Sequence, residues 1–198
     1  AQSNSLINNI QTFAGPNVSD RIKNHGLAEG RFMRGLAYSY LVQNWGPVPI
    51  ITNNTALLQD TTIARNTEET IWQFIIKDFR FAVENLPEAS VQIGRLNKWS
   101  AEGMLAKMYL TRAGVGGSRN QSDLDSAAYF AKRVIENSGA SLMDNYEDLF
   151  KTQNNNNSET LAALQWTYNA GQAGQWGAQN SVQAFLAFGS EITGFGDG

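Results

Sequence analysis

The sequence predicts an all-α fold made of paired antiparallel helices. Apolar residues recur three and four positions apart in four separate stretches, which is the period of a helix with one buried face. A proline or a glycine follows each stretch, where a helix would end. The predicted helices span residues 28–44, 67–86, 97–112 and 122–138. At 198 residues the chain is long enough for one domain with a core.

The first predicted helix carries a broad apolar stripe that we expect to face the core. Its members recur at the spacing of adjacent helical turns: Phe32, Met33, Leu36, Ala37, Tyr40 and Leu41. Arg31 and Arg34 lie outside this stripe and are interpreted as capping or salt-bridging groups. Gly46 and Pro47 end the helix, because proline cannot donate into the helical ladder and restricts the residue before it.

The second helix has the clearest start signal. Asn66 is predicted as its N-cap, with Glu69 reaching back in a capping box, and Pro87 ends it. One face holds the residues expected in the core: Ile71, Ile75, Phe79, Ala82 and Leu86.

The third helix runs from about Asn97, and Gly114 is placed to terminate it. Its inward residues are predicted to be Met104, Leu105, Met108 and Tyr109. The fourth helix is expected to start at Ser122 and to end at Gly139, with two aspartates in its first turn complementing the helix dipole. Its packed residues are predicted to be Ala127, Phe130, Ala131, Val134 and Ile135.

A short sequence pattern occurs in the first helix of each predicted pair. Residues 36–41 (LAYSYL) resemble residues 105–110 (LAKMYL), which begin 69 positions later. That offset is close to twice the ~34-residue period of tetratricopeptide repeats. We therefore predict a tetratricopeptide-like α-α superhelix over residues 1–150.

The character of the sequence changes after Phe150. Residues 153–157 are rich in amides, residues 161–168 have the pattern of a short strand, and residues 171–177 form a Gly- and Gln-rich stretch. We interpret 151–198 as the start of an irregular, loop-rich ligand-binding region that is truncated.

Composition argues against several functions. The net charge is −3 and the 15 Lys and Arg residues are scattered, so nucleic acid is not an expected partner. The chain has no Cys and a single histidine, His25, which leaves little for nucleophilic catalysis or a zinc site. We expect no catalytic residues, no metal and no cofactor.

Three blocks carry a family resemblance. They are residues 28–42 (AEGRFMRGLAYSYLV) with 45–50 (WGPVPI), residues 94–101 (GRLNKWSA) with 105–110, and the Asn-rich residues 154–159 (NNNNSE). In order and spacing they resemble the SusD/RagB family of bacterial outer-membrane nutrient-binding lipoproteins, in its N-terminal part. Members of that family are considerably longer than this chain.

The resemblance implies a non-catalytic glycan-binding protein exposed on the outer-membrane surface. Such a protein delivers oligosaccharide or polysaccharide to a SusC-like TonB-dependent transporter, and its parent is held to the membrane by a lipid anchor. The sequence departs from the family at Gly30, Gly35 and Gly103, where Ala is commoner. Since glycine within a helix costs ~1 kcal/mol relative to Ala, we expect close packing at these positions.

Candidate binding residues are sought among aromatic side chains in the irregular region, because sugars stack on flat rings while amides bind their hydroxyls. Trp72 and Trp99 fall within helices and are interpreted as packing residues. The predicted ligand-binding residues all follow residue 165: Trp176, Trp166, Tyr168, Gln175 and Asn180. Two alternatives remain: a tetratricopeptide-type peptide-binding or protein-binding adaptor, and a glycoside hydrolase.

Overall fold

The computed structural model describes residues 1–58, 62–117 and 119–165. Within these ranges the structure contains five α-helices and no strand. The helices are α1 (Gln2–Phe13), α2 (Asp20–Trp45), α3 (Glu68–Asn85), α4 (Lys98–Arg112) and α5 (Gln121–Asn137). Short 3-10 turns lie between the helices at Ala56–Leu58 and Val115–Gly117, and after α5 at Tyr146–Phe150 and Thr152–Asn154. These elements belong to one compact unit, Ala1–Ala162, in which each α-helix packs on the next along the chain.

The four predicted helices are confirmed, with corrections at their starts. Helix α2 begins at Asp20, well before residue 28, because Ser19 caps it by accepting from the Ile22 amide. Helix α5 begins at Gln121 with Asn120 as its cap, so the predicted start at Ser122 is slightly late. Helix α1 was not predicted at all.

The predicted cap of α3 is wrong by one residue. Thr67, not Asn66, accepts from the backbone of the first turn, with Thr70 N 3.2 Å from Thr67 Oγ1. The Asn66 side chain is used elsewhere, because its Oδ1 accepts from Ile50 N at 2.7 Å. The backbone N–H of Asn66 donates to Val48 O at 3.0 Å. This pairing ties the proline-containing turn after α2 to the start of α3.

The predicted strand at 161–168 is not seen in the part that the structure describes. Residues 161–165 form neither strand nor helix, and residues 166–168 lie outside the described ranges. Residues 154–159 instead make local turns, in which Asn157 Oδ1 accepts from Glu159 N at 2.9 Å. Asn and Asp side chains favour such turns because they can imitate a backbone acceptor.

Helix α3 forms the centre of the core. Its predicted inward residues are all buried: Ile71, Ile75, Phe79 and Ala82 are inaccessible and Leu86 is nearly so. Phe79 meets Phe32 of α2 edge to face, with ring centroids 5.2 Å apart. A Cβ at Gly35 would lie 3.1 Å from the Phe79 ring, so the expected close packing at this glycine is confirmed.

The predicted inward face of α2 is wrong in part. Phe32 is buried, but Met33, Tyr40 and Leu41 are 38%, 61% and 37% exposed. The buried face instead includes the polar residues Arg34 and Ser39 together with Tyr38 and Val42. Because polar residues take core positions here, the buried face of α2 is rotated away from Met33, Tyr40 and Leu41, while Phe32 still packs on α3. In α5, Ile135 is likewise exposed rather than packed.

The reason for this rotation is a buried ion pair between α2 and α3. Arg34 Nε lies 2.7 Å from Asp78 Oδ2, and Arg34 Nη2 lies 2.8 Å from Asp78 Oδ1. Both side chains are at least nine-tenths buried. This two-bond geometry matches the planar guanidinium to the carboxylate. Arg34 was predicted to be a salt-bridging or capping group, and its salt bridge is confirmed.

We predict that Asp78→Asn destabilises the protein by about 3–5 kcal/mol, because it leaves the buried Arg34 charge without its partner. Chemical denaturation measures the free energy of unfolding. Glu88→Gln provides the matched control, since Glu88 is exposed and its ion pair with Lys98 lies at the surface. That change should cost less than about 1 kcal/mol. Equal losses from the two substitutions would contradict the central role of the Arg34–Asp78 pair.

Candidate functional site

The predicted ligand-binding residues lie outside the described ranges. Trp166, Tyr168, Gln175, Trp176 and Asn180 all fall within 166–198, so the structure does not test this prediction. The division between a scaffold over 1–150 and a binding region over 151–198 also remains a prediction. The structure does describe residues 158–161, the anchored segment that precedes these residues in the sequence.

Helix α4 holds that segment at its N-terminal end. Asn97 and Ser100 form a capping box, in which Asn97 Oδ1 accepts from Ser100 N at 2.9 Å. The Ser100 hydroxyl also donates to the backbone carbonyl of Leu161. A Cβ at Gly103 would lie 3.1 Å from Leu161 Cδ1. Gly103 therefore makes the close contact that we expected, but against this segment rather than against a helix.

A second set of contacts joins the segment to the chain just after α5. Glu159 Oε1 accepts from the Met143 amide at 2.7 Å. Ser141 N donates to Ser158 O at 3.1 Å, and the Ser158 hydroxyl donates back to Ser141 O at 2.9 Å. Residues 158–161 are thus fixed at both ends, by α4 and by residues 141–143.

Two of the described tryptophans are packed, as predicted. Trp72 is 2% exposed and Trp99 is 9% exposed. Trp45, by contrast, is 66% exposed in the last turn of α2. Its position directly before Gly46 and Pro47 could have signalled this, because a side chain in the last turn of a helix has few neighbours.

Other exposed rings lie near the start of the irregular region. Tyr146 and Phe150 are 74% and 73% exposed, and their rings meet edge to face with centroids 5.3 Å apart. Such rings offer flat apolar surface of the kind on which a sugar ring can stack. Sequence reasoning missed them because it placed residues 146–150 in the helical scaffold.

His25 lies beside the ion pair that joins Glu29 of α2 to Arg95. Its Nε2 lies 3.8 Å from Glu29 Oε1, while the other Glu29 oxygen accepts from Arg95 Nη2 at 2.7 Å.

In the part of the chain that the structure describes, no group of three or more His, Cys, Asp or Glu residues is arranged to hold a metal ion. None of the described helices is long and apolar enough to cross a membrane.

Consecutively packed antiparallel helices of this kind define an all-α, tetratricopeptide-like scaffold, as predicted. The family model for SusD-like proteins, described as starch-binding and associating with the outer membrane, matches residues 1–110. This match covers more than half of the chain. The chain therefore belongs to the SusD-like family.

Individual relatives agree with this assignment. A SusD-like protein of Bacteroides ovatus is 45% identical over 194 residues, covering 97% of this chain and 35% of that protein. A crystal structure with xylogluco-oligosaccharide is also 45% identical, with a TM-score of 0.83, and the match covers 97% of this chain and 37% of the other. A SusD superfamily protein from Parabacteroides distasonis is 29% identical with a TM-score of 0.75, covering 83% of this chain and 35% of that protein. The chain thus spans about a third of the length of these relatives.

We predict that Glu159→Ala loosens the anchored segment without unfolding the helices. It removes a hydrogen bond from the Met143 amide to a charged acceptor, worth about 1.5–3 kcal/mol, so exchange of that amide should accelerate about 10- to 150-fold. Hydrogen exchange measured by NMR or mass spectrometry provides the test. Glu147→Ala is the matched control, because the Glu147 side chain is 79% exposed and does not bind this amide. Unchanged protection at Met143 in Glu159→Ala would show that the contact does not hold the segment.

Proposed function

We propose that this protein binds an oligosaccharide as a non-catalytic member of a nutrient-uptake system. The observation that carries the proposal is the 45% identical relative whose crystal structure includes a xylogluco-oligosaccharide, aligned over 97% of this chain with a TM-score of 0.83. The family description, starch-binding and associating with the outer membrane, supports the same class of ligand. Xyloglucan fragments are therefore the first ligands to test.

We place the binding residues in the irregular region that follows the helices. Trp176, Trp166 and Tyr168 would supply stacking rings, and Gln175 and Asn180 would supply amides for the sugar hydroxyls. Support comes from the anchoring of the described start of this region, since Leu161 is held by Ser100 and packs on Gly103. Loops carried on a rigid scaffold are free to present rings that packed helices must bury.

This placement gives different roles to two parts of the chain. Residues 1–150 act as the tetratricopeptide-like scaffold, and residues 151–198 begin the ligand-binding region. The whole protein is proposed to sit on the surface of the outer membrane through a lipid anchor. There it passes oligosaccharide to a SusC-like TonB-dependent transporter.

Affinity gel electrophoresis of the full-length protein against plant, host and microbial polysaccharides tests the proposal. Retardation by xyloglucan or another glycan, with no reducing sugar released, is the expected result. Release of reducing sugar would favour the glycoside hydrolase alternative instead. Binding of peptides without any response to glycans would favour the adaptor alternative.

We predict that Trp176→Ala weakens glycan binding about 5- to 150-fold, because a stacked ring contributes roughly 1–3 kcal/mol by analogy with base–aromatic stacking. The melting temperature should not change. Trp72→Ala is the contrasting control: Trp72 is buried in the core, and its truncation should cost about 3–5 kcal/mol of stability. If Trp176→Ala lowers the melting temperature by several degrees while the folded protein still binds normally, Trp176 belongs to the core.

A further inference from the structure

A cationic groove of about 520 Å³ runs along the exposed face of α3. Helix α2 contributes Arg31 on one side and α4 contributes Tyr109 and Arg112 on the other, while Lys77 and Arg80 project from α3 between them. The volume lies in the range of small-molecule binding sites. None of the residues that line this groove belongs to the part of the sequence in which we place the glycan-stacking residues.

The four cations of the groove differ in how far their charge is balanced. Arg112 forms a two-bond ion pair with Asp123, with Nε 2.8 Å from Oδ2, and this hydrogen bonding raises the pKa of Arg112. Arg80 donates from Nε and Nη2 to the Tyr109 hydroxyl, at 2.9 and 2.6 Å, which is a neutral acceptor. Lys77 is exposed and makes no ion pair with any residue in the described ranges. Arg112 is thus neutralised, whereas Lys77 and Arg80 are not.

Arg31 is the least satisfied group in the groove. Its guanidinium lies over the Phe81 ring, 3.9 Å from the ring centroid, and its Nε is shielded from solvent without a hydrogen-bond partner among the described residues. Burial lowers the pKa of Arg31, while the nearby Asp78 opposes that shift. Asp78 already accepts two bonds from Arg34. Its negative charge therefore does not fully balance both arginines.

One carboxylate, Glu84, also lines the groove and makes no ion pair within the described part of the chain. Three cations that lack a dedicated carboxylate partner thus face a single acid, in a protein whose net charge is −3. Such a local excess attracts anions, and a charged acceptor strengthens a hydrogen bond relative to a neutral one such as the Tyr109 hydroxyl.

The apolar surface of the groove argues against a peptide as its ligand. One face of Phe81 is covered by Arg31, and Ile76 and Tyr109 are 6% and 3% exposed. A peptide docking in a groove needs open apolar pockets for anchor side chains. The Gln73 amide and the Glu84 carboxylate, by contrast, can bind the hydroxyls of a sugar.

The geometry points to a second site, in which Arg31, Lys77 and Arg80 bind the carboxylates of an acidic oligosaccharide, a chain of uronic acid sugars. This inference rests on the proposed glycan-binding function and adds the class of sugar that this groove selects. The carboxylate would approach Lys77 and Arg80 from solvent and take hydrogen bonds that Arg80 now gives to Tyr109. The hydroxyls of the same sugar would lie against Gln73 and Glu84.

Calorimetric titration of the full-length protein with trigalacturonate tests the inference. We expect binding that weakens as salt rises, because the interaction depends on exposed charges. The methyl-esterified trisaccharide, which has the same rings without the charge, should bind at least about tenfold more weakly. Equal affinity for the two trisaccharides would overturn the inference, and so would preferential binding of an oligoglutamate peptide.

Lys77→Gln should weaken trigalacturonate binding about tenfold without altering the melting temperature, because the exposed Lys77 side chain makes no ion pair within the described part of the chain. Arg80→Gln should act in the same direction. Lys107→Gln on α4 is the matched control: Lys107 is also exposed but does not line the groove, so its loss should leave binding unchanged. The inference fails if trigalacturonate does not bind, or if Lys77→Gln and Lys107→Gln have equal effects.

The two proposals fail separately. A protein that is retarded by a neutral glycan but does not bind trigalacturonate overturns the acidic-sugar site and leaves the proposed function standing. A protein that binds no glycan of either kind overturns both. Insensitivity of trigalacturonate binding to Trp176→Ala, combined with sensitivity to Lys77→Gln, would support the groove as a site of its own.

Discussion

Arg34 connects more elements of this scaffold than any other side chain that we have described. From α2 it forms two bonds to Asp78 of α3, and its third nitrogen lies 3.4 Å from Asn4 Oδ1 of α1. Asn4 in turn donates to Ile51 O at 2.7 Å, in the segment after α2. Because a buried charge is tolerated only when it is paired and hydrogen-bonded, these elements must dock in one register to satisfy it. The hydrophobic core can then close around α3 on both sides.

The same constraint explains which parts of the fold could be predicted from sequence. The core face of α3 was predicted correctly, because Ile71, Ile75 and Phe79 are apolar and repeat with the helical period. The face of α2 was not, because Arg34 is buried only by virtue of Asp78, a residue 44 positions away. Periodicity within one helix carries no information about a partner on another helix.

Helix α1 shows a second limit of prediction from the sequence. It has no side-chain cap at its N-terminus and no charged residue in its first or last turn, so the usual boundary signals are missing. Its position is set by tertiary contacts instead, through Ile7 against Gly30 and Asn4 against Ile51.

The candidate binding residues could be proposed from aromatic content and loop composition alone. Their geometry could not, because loop conformation depends on contacts such as Ser100 with Leu161 that no local pattern specifies.

The distribution of chemistry follows from how the helices pack. Trp72 and Trp99 are buried in the core, whereas the exposed rings of the described residues include Trp45 at a helix end and Tyr146 after the last helix. Under the proposed function, stacking surface for sugars would come from positions of this kind. Charged side chains, unlike the buried rings, can be presented by the exposed face of a helix. Long cationic side chains can lie along the exposed face of α3 with their stems on apolar surface and their charged ends in solvent. If both proposals hold, such a scaffold would hold a sugar in two ways, by rings in irregular segments and by ionic contacts from a helix face. Charge recognition could then change without loss of stability, because Lys77 and Arg80 are exposed and lie outside the buried core.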